Sequence, residues 1–478
     1  MSPFARRRRL LSSRALFIFA FVWAISSWTL ILKSLPSPTT TSSPRIAVQH
    51  PLPPSELGVQ QQQRREDARS LESVNDVPSH SQQKQQLPAP VSVLIYPLHA
   101  AKGTHHAYLY IGSPPQRQTL IVDTGSRLTA FPCQPHCPDC GKHASEQFHL
   151  DMSSSHEIIP CSSCLLSKTN AEDVFVSDGL GGLRGSKPIP NTCYNGRCEL
   201  DQFYTEGSSW RAFEVKDKVW LGTNNETSSL KEHELHAVPF VFGCQVSESG
   251  LFKEQYADGI MGLSQYTQTL VGTFDLFGSV PRESFSLCFN KVGGRLALGG
   301  TTQNHLIPMQ FTPFAKKNNW YYSVTVSAIY VGSHKLPGVL MKYMNEEKAT
   351  IVDSGTTDTF LPLKIATPFI RAWEGISGRR YNNELQLFTY EEFGKLPTVT
   401  FELEGGLRWE VQPSNYMEDD ADNKRSSQTP WHGERGFTSR MYVNEPKGAV
   451  LGSNAMMDHD IYFDIANRRL GVAKSNCI

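Results

Sequence analysis

Two segments of this sequence place an aspartate directly after an aliphatic run. They read Leu120-Ile-Val-Asp123-Thr-Gly-Ser126 and Thr350-Ile-Val-Asp353-Ser-Gly-Thr356. β-Branched and aliphatic residues favour a buried strand, and the glycines that follow, Gly125 and Gly355, permit a tight turn. The repeated pattern predicts two strand ends that bring the carboxylates of Asp123 and Asp353 face to face.

Such a pair of carboxylates has a restricted chemistry. Two carboxyl groups held about 3 Å apart cannot both ionise cheaply, so they share one proton and their pKa values separate. One carboxylate can then take a proton from a water molecule while its partner donates a proton to a carbonyl oxygen. Asp123 and Asp353 would therefore hydrolyse an amide bond with no metal ion, organic cofactor or nucleophilic side chain.

The hydroxyl residues beside the aspartates fit the same chemistry. Thr124 and Ser354 can tie the two loops together. Ser126 and Thr356 can donate hydrogen bonds to the outer carboxylate oxygens and keep the carboxylates coplanar. A single Asp-Thr-Gly segment is an ordinary turn, but two copies in matching strand contexts indicate a catalytic pair. A glycoside hydrolase also uses two carboxylates, although its mechanism gives no reason to repeat this segment.

Further segments extend the pattern to both halves of the chain. They are Gly259-Ile-Met-Gly262-Leu-Ser264, Ala449-Val-Leu-Gly452-Ser453, Tyr462-Phe-Asp464 and Leu470-Gly-Val-Ala473. Together with the aspartate motifs, they make residues 91–478 resemble the pepsin-type aspartic protease family. The resemblance implies an all-β, bilobal pepsin-like fold with pseudo-twofold symmetry, with an N-terminal lobe at 91–310 and a C-terminal lobe at 311–478. It also implies an aspartic-type endopeptidase that acts as a monomer on protein or peptide substrates, without a cofactor or metal.

The N-terminal sequence predicts a membrane anchor. Four consecutive arginines, Arg6 to Arg9, precede an uncharged and mostly apolar run from Ala15 to Leu32, which would span about 27 Å as a helix. The positive-inside rule places the basic tail, 1–14, in the cytosol and makes 15–33 a transmembrane signal anchor. A cleaved signal peptide is the alternative, although the run is longer than a usual signal-peptide core and no clear cleavage site follows it.

The composition changes after the anchor. Residues 34–90 are rich in Pro, Ser, Thr and Gln, which cannot bury enough apolar surface to fold, so a disordered stem or a pro-segment is predicted. We therefore expect a single-pass type II membrane protein of the endoplasmic reticulum, Golgi or cell surface, with a lumenal or extracellular catalytic domain. The chain has 46 basic and 46 acidic residues, and this balance gives no electrostatic reason to bind nucleic acid.

The rest of the chain has the pattern of a β protein. From about Tyr96, short β-branched and aromatic runs are separated by Pro, Gly and Asn, and no stretch shows sustained helical periodicity. The polar segment 417–440 is predicted to be a mobile surface loop. Asn225 begins an Asn-Glu-Thr sequon and is a candidate glycosylation site.

Ten cysteines lie between Cys133 and Cys477. Two segments, Cys137-Pro-Asp-Cys140 and Cys161-Ser-Ser-Cys164, together have the spacing of a zinc ribbon. An even number of cysteines in a chain predicted to be lumenal favours disulfides instead, because secretory compartments are oxidising.

The cysteine-rich segment 133–198 resembles the insert of nepenthesin-type aspartic proteases. That resemblance, and not the spacing of the cysteines, implies a particular pairing. The implied disulfides are Cys133–Cys137, Cys140–Cys244, Cys161–Cys198, Cys164–Cys193 and Cys288–Cys477.

The segment that follows the insert resembles the flap hairpin of the family. It reads Cys198-Glu-Leu-Asp-Gln-Phe-Tyr204-Thr-Glu206-Gly207-Ser208. Tyr204 is expected to close over the substrate and help to exclude water, with Gly207 in the turn. Many pepsin relatives carry a tryptophan where this chain has Ala130, so Tyr204 is expected to lack its usual indole partner. An ordinary surface tyrosine in a hairpin is the alternative.

The string from Asp123 to Cys133 resembles the plasmepsin V type of membrane-bound secretory-pathway protease, which processes exported proteins. This resemblance implies that Glu206 and Glu248 hold an arginine of the substrate. Two carboxylates at the rim of a cleft suit a guanidinium, which has five donors in a rigid fork. Acidic residues near the flap tyrosine also occur in nepenthesin-like chains generally, which leaves a general pepsin-like specificity open. The alternative to an enzyme is a catalytically inactive, disulfide-rich, peptide-binding ectodomain.

Overall fold

The computed structural model describes most of the chain after residue 91. The described residues are 92–166, 175–177, 183–185, 192–223, 234–265, 269–316, 321–347, 349–420 and 430–478. The predicted tail (1–14), anchor (15–33) and stem (34–90) lie outside these ranges, as does Asn225. Each helix inside them is too short or too polar to cross a membrane.

Strands make up most of the regular structure. In the first part of the chain they are β1 (Leu94–Ala101), β2 (Thr104–Ile111), β3 (Gln116–Asp123), β4 (Ala130–Gln134), β5 (Phe148–His149), β6 (Glu157–Ile158), β7 (Phe175–Ser177), β8 (Leu183–Gly185), β9 (Thr192–Tyr194), β10 (Arg197–Phe203), β11 (Ser209–Gly222), β12 (Val238–Ser249), β13 (Gly259–Gly262), β14 (Ser284–Asn290) and β15 (Gly293–Leu298). In the second part they are β16 (Gln310–Pro313), β17 (Ser323–Val324), β18 (Val326–Val331), β19 (His334–Lys335), β20 (Thr350–Val352), β21 (Thr359–Pro362), β22 (Leu385–Thr389), β23 (Val399–Leu403), β24 (Arg408–Val411), β25 (Met417–Asp419), β26 (Glu434–Ser439), β27 (Met441–Glu445), β28 (Ala449–Leu451), β29 (His459–Asp464) and β30 (Arg469–Lys474).

The helices of the described residues are short. The α-helices are α1 (Leu270–Leu276), α2 (Met341–Met344), α3 (Ala366–Ser377), α4 (Tyr390–Phe393), α5 (Pro413–Tyr416) and α6 (Ser453–Met456). The 3₁₀ helices are Leu150–Met152, Cys161–Ser163, Gly250–Lys253, Gly338–Leu340 and Leu363–Ile365. The structure is therefore mostly β, as the strand pattern of the sequence predicts.

The largest sheet combines strands from both parts of the chain. Its order is β16-β30-β29-β14-β15-β1-β2-β3-β13-β4-β12-β11-β10-β9. The two parts meet where β29 pairs antiparallel with β14, with Phe463 opposite Phe285. The rings of these two residues stack with centroids 4.6 Å apart, and Tyr322 packs 4.6 Å from Phe463. All three side chains are buried, so the two halves share one hydrophobic core.

Both aspartate motifs stand at the end of a strand that has a parallel neighbour. β3 pairs in parallel with β13, with Asp123 opposite Gly262, and β20 pairs in parallel with β28. Leu263 N donates to Asp123 O at 2.8 Å, and Asp353 N donates to Leu451 O at 3.0 Å. The same local arrangement of backbone therefore occurs twice, once at each aspartate.

Helix α3 shows that the expectation of no helical periodicity is wrong. Phe369, Trp373 and Ser377 recur every four residues and form its buried stripe, which is the spacing of one helix face. Pro368 lies in the first turn, where a helix tolerates proline. Gly378 ends the helix with a φ of 68°, a left-handed conformation that favours glycine.

The segment 417–440 is not the loop that its polarity suggests. β25 and β26 pair antiparallel, and β22 lies on the other side of β26. Arg435 and Asp419 form an ion pair between these strands, and Phe437 is fully buried. The prediction of a mobile loop is therefore wrong for both ends of this segment, while residues 421–429 lie outside the described part of the chain.

All ten cysteines form disulfides, but the pairing differs from the implied one. The structure joins Cys133–Cys244, Cys137–Cys140, Cys161–Cys193, Cys164–Cys198 and Cys288–Cys477. Cys288–Cys477 is the pair that both sets share. The other four implied pairs differ from the structure, and their prediction is wrong: Cys133–Cys137, Cys140–Cys244, Cys161–Cys198 and Cys164–Cys193.

Strand register explains the first exchange of partners. β4 runs parallel to β12, with Pro132 opposite Gln245. This register brings Cys133 next to Cys244, with their Cα atoms 5.4 Å apart. Cys137 and Cys140 then pair with each other inside one turn of the insert.

The second exchange occurs at the β9–β10 hairpin. Cys193 is directly opposite Cys198 in that hairpin, so both lie within reach of the 3₁₀ turn that carries Cys161 and Cys164. Either pairing satisfies the sequence, because the four cysteines form one cluster. The detailed orientation of the turn selects Cys161–Cys193 and Cys164–Cys198.

Peptide mapping of the unreduced protein should recover the five disulfides of the structure. Because the β4–β12 register sets the first bond, a fragment that carries Cys133 should be linked to one that carries Cys244. Zinc measured on the same sample should be absent, since oxidised cysteines offer no thiolate to the metal. A map with Cys140 linked to Cys244 would contradict the register, and stoichiometric zinc with free thiols would restore the zinc-ribbon alternative.

Candidate active site

The two aspartates are held by matching sets of donors. Those donors are Gly125 N (2.7 Å) and Ser126 Oγ (2.5 Å) for Asp123, and Gly355 N (3.0 Å) and Thr356 Oγ1 (2.7 Å) for Asp353. In each case the N–H takes Oδ1 and the hydroxyl takes Oδ2. Each carboxylate is therefore fixed in its plane by the residues two and three positions after it in the chain, and the sequence suggests the hydroxyl part of this arrangement.

The two active-site loops are joined through Thr124 and Ser354. Thr124 N donates to Ser354 Oγ at 3.0 Å, and Ser354 N donates to Thr124 Oγ1 at 2.9 Å. The hydroxyls also donate across the interface: Thr124 Oγ1 to Val352 O at 3.0 Å, and Ser354 Oγ to Val122 O at 2.7 Å. Both side chains are buried, so these four bonds set the relative position of the aspartates.

The two motifs require glycine for a different reason from the tight turn that the sequence suggests. Neither Gly125 nor Gly355 has a positive φ, so the turn itself does not require glycine. A Cβ atom on Gly125 would lie 2.7 Å from the Asp353 carboxylate, and one on Gly355 would collide with the Asp123 carboxylate. Each glycine therefore leaves space for the aspartate of the opposite loop.

The electrostatics of the pair are those of a shared proton. Burial raises the pKa of Asp123 well above its ordinary value, and the nearby charge of Asp353 raises it further. Hydrogen bonds from Ser126 and Gly125 act in the opposite direction. Asp123 is 5% exposed whereas Asp353 is half-buried, so we place the shared proton on Asp123.

Tyr204 lies at the tip of the hairpin formed by β10 and β11, beside the dyad. Burial, and then the charge of Asp123, raise the pKa of its phenol. Trp210 Nε1 donates to Tyr204 OH at 3.1 Å, and the ring of Phe252 lies 4.9 Å away. Tyr204 therefore lacks the usual indole at position 130, where this chain has Ala130, but Trp210 on the return strand supplies an indole donor in its place.

The hairpin turn is closed by Gly207. Its N–H donates to Tyr204 O at 3.0 Å, and its φ is 94°. A residue with a side chain would be strained in this conformation. Gly207 therefore keeps the tyrosine at a defined place in the flap hairpin.

The two glutamates implied in arginine binding have different surroundings. Glu206 is exposed in the flap turn and makes no hydrogen bond or ion pair with another described residue. The Glu248 side chain has no exposed surface; its Oε2 accepts from Gly141 N at 3.1 Å and pairs with His143 Nε2 at 3.2 Å. Of these two carboxylates, the structure therefore leaves only that of Glu206 exposed to solvent.

Two residues near the dyad were not predicted from the sequence. The first is Trp210, which could have been found from its position on the return strand of the flap hairpin, six residues after Tyr204. Tyr321 is the other: burial, and then the charges of Asp353 and Asp123, raise the pKa of its phenol. Its carbonyl accepts a hydrogen bond from Gln265 at 2.8 Å, so it lies where the second half of the chain approaches the dyad.

Comparison with protein families gives two overlapping matches. Residues 221–475, more than half of the chain, match the family model described as eukaryotic aspartyl protease. Residues 106–300 match a model described as xylanase inhibitor N-terminal. Asp123 lies in the range 106–300, and Asp353 lies in the range 221–475.

Several curated proteins are similar to the chain. It is 31% identical to plasmepsin V of Plasmodium falciparum over 204 residues, which are 42% of this chain and 30% of that protein. It is 33% identical to aspartic protease 5 of Toxoplasma gondii over 214 residues, 41% of this chain and 20% of that protein. With aspartic proteinase 36 of Arabidopsis thaliana the identity is 25% over 388 residues, 78% of this chain and 74% of that protein. The match thus spans less than a third of the two parasite proteins.

Replacing Asp123 by asparagine should stabilise the fold at neutral pH more than in acid. The pKa of Asp123 is raised in the folded state, so the unfolded chain releases this proton at a lower pH than the folded protein does. The stability contributed by this group is complete below the unfolded pKa and is lost as the pH rises through the folded pKa. The unfolding temperature of Asp123→Asn relative to wild type should therefore be higher at pH 7 than at pH 4. Asp139→Asn, at an exposed aspartate, serves as the control, and a gain that grows toward acid pH would refute the assignment.

Proposed function

The chain belongs to the eukaryotic aspartyl protease family, and we propose that it is an endopeptidase that hydrolyses peptide bonds of protein or peptide substrates. The observation that carries the proposal is the dyad. Asp123 and Asp353 lie on two loops that are hydrogen-bonded to each other, and each carboxylate is held by one N–H and one hydroxyl. This is the arrangement that general acid–base hydrolysis of an amide requires.

In the proposed reaction, a water molecule between the two carboxyl groups attacks the scissile carbonyl carbon. Asp353, which is the more exposed carboxylate, takes a proton from the water, while Asp123 gives its proton to the carbonyl oxygen. The tetrahedral intermediate then transfers a proton through the dyad to the amide nitrogen, and the C–N bond breaks. Tyr204 lies over this site and helps to exclude bulk water.

A second candidate is a binding protein without catalytic activity. It is favoured by the match of residues 106–300 to a model described as xylanase inhibitor N-terminal. The presence of both aspartates with their hydroxyl partners supports the enzyme instead, because a binding protein has no need of a buried, proton-sharing carboxyl pair.

We also propose that the catalytic part is lumenal or extracellular. Five disulfides suit an oxidising compartment of the secretory pathway. In this proposal, 15–33 anchors the protein to the membrane, 34–90 forms a stem or pro-segment, and two lobes divide near residue 310 with the dyad between them. The substrates are then proteins that pass through the same compartment.

Asp123→Asn and Asp353→Asn should each abolish cleavage of a generic peptide library. An amide cannot share the proton, and general acid–base groups usually contribute about 10² to 10⁴ in rate, so activity should fall to below about a hundredth of wild type. Circular dichroism and the disulfide map should stay unchanged, which separates loss of chemistry from loss of fold.

The control for this experiment is Asp139→Asn, an exposed aspartate of the insert, which should retain activity. Residual cleavage by both dyad variants would exclude the proposed mechanism. An inactive wild type that binds the same peptides would favour the second candidate.

We further propose that Glu206 selects an arginine in the substrate. Its carboxylate is exposed in the flap turn, two residues after Tyr204, and it has no partner among the described residues to compete with a substrate. A guanidinium can bind such a carboxylate through two parallel hydrogen bonds, which a lysine cannot do. The Glu248 side chain is buried and paired with His143, so the proposal gives the contact with the arginine to Glu206 and not to Glu248.

Cleavage profiling of Glu206→Gln tests this selection. Wild type should prefer arginine at one position over both lysine and alanine, and the variant should lose roughly tenfold or more of that preference, since a hydrogen bond to a charged group is worth about 1.5 to 3 kcal/mol. Glu410→Gln, at an exposed glutamate of β24, should keep the preference. A wild-type profile with only apolar residues around the cut would leave a general pepsin-like specificity as the better account.

A further inference from the structure

The first turn of the cysteine-rich insert is fastened to a segment that lies behind the flap hairpin. We call residues 248–258, which begin with the last two residues of β12, the wall segment. Gly141 N and His143 Nε2 both contact Glu248 Oε2, at 3.1 and 3.2 Å. Ala144 N donates to Tyr256 O at 2.9 Å, and Ser145 N donates to Asp258 Oδ1 at 2.7 Å. Successive insert residues therefore bind both ends of the wall segment.

The ring of His143 contacts two acceptors. Nε2 faces the Glu248 carboxylate at 3.2 Å and Nδ1 faces Gln255 O at 3.3 Å. A carboxylate and a carbonyl oxygen accept hydrogen bonds, so the ring satisfies both of them only when both of its nitrogens carry hydrogen. In that protonated form, His143 forms a buried ion pair with Glu248, and the two side chains are 2% and 0% exposed.

The wall segment in turn supports the flap hairpin. Phe252 packs against the Tyr204 ring with centroids 4.9 Å apart. Leu251 N donates to Ser208 Oγ at 2.9 Å, and Ser208 O accepts from Tyr204 N at 2.9 Å. A displacement of the wall segment would therefore move the tyrosine that covers the dyad.

We propose that His143 is a positioning residue for substrate binding, and that its ion pair with Glu248 keeps the wall segment where it supports Tyr204. The inference rests on the proposed peptidase function. Glu248 Oε1 has no hydrogen-bond partner among the described residues, so the attachment of this side chain depends on Oε2. Removing one member of a buried ion pair leaves an uncompensated charge, which would drive the wall segment toward solvent.

The ion pair also gives substrate binding a pH dependence. Burial lowers the pKa of His143, but the hydrogen bond and charge of Glu248, with the charge of Asp258, outweigh it and raise the pKa overall. The ionisable groups that face the ring are Glu248 from β12 and Asp258 from the end of the wall segment, while Lys142 adjoins it in the chain. Because the folded-state pKa of His143 is raised, the ion pair persists while His143 is protonated and Glu248 is ionised, and it is lost as the pH rises through the pKa of His143.

Steady-state kinetics of His143→Ala and His143→Gln test the proposal. We expect His143→Ala to raise KM about tenfold, the lower end of what a charge-assisted hydrogen bond is worth, with a much smaller change in kcat because the dyad is untouched. Wild-type KM should rise as His143 loses its proton. His143→Gln keeps an N–H donor without a charge, so it should restore part of the affinity and show no such rise with pH. His334→Ala, at an exposed histidine of β19, is the matched control and should resemble wild type.

Hydrogen–deuterium exchange provides a readout that does not need activity. His143→Ala should speed exchange in residues 204–208 and 248–258, with no change in residues 350–356 of the second active-site loop. Unchanged exchange and KM would overturn the proposal, and so would faster exchange throughout the protein, since that indicates a role in global stability. A wild type that cleaves no peptide would refute the proposed function, while the exchange data would still decide whether His143 holds the flap hairpin.

Discussion

The candidate site depends on the reciprocal contact between Thr124 and Ser354. Each residue donates its N–H to the hydroxyl oxygen of the other, and each hydroxyl donates to a carbonyl of the opposite strand. The two residues are 230 positions apart, so this contact defines how the halves of the chain meet. Two carboxyl groups repel each other when both are charged, and an arrangement of buried, mutually satisfied hydrogen bonds holds them together in spite of that repulsion.

The local symmetry of the dyad does not extend to its surroundings. In the first half of the chain, Asp123 is buried beside Tyr204 of the flap hairpin, whereas Asp353 remains half-buried. This difference in burial is the physical reason for placing the shared proton on Asp123. On the side of Asp123, Trp210 and Phe252 hold Tyr204 in place.

Much of this site could be predicted from the sequence because its chemistry is local. Asp123, Asp353 and the residues that follow them carry their donors within three positions, and their strands have a clear aliphatic pattern. The disulfide pairing and the partner of Tyr204 could not be predicted in the same way, because they depend on how strands align. Cys133 meets Cys244 only through the β4–β12 register. Glu248 is buried by the turn of the insert that carries Gly141 and His143. No pattern of neighbouring residues in the sequence predicts such a contact.

The pairing of β29 with β14 has a consequence for how the protein is made. During synthesis, β14 can pair with β15 along one edge, but its other edge has no partner strand until β29 has been made. Cys288 likewise has no disulfide partner until Cys477, 189 positions later, has been made. Pairings between such distant segments form slowly, and an open edge invites association with other chains. The first half of the chain therefore cannot complete its sheet or its last disulfide until the strands of the second half have been made.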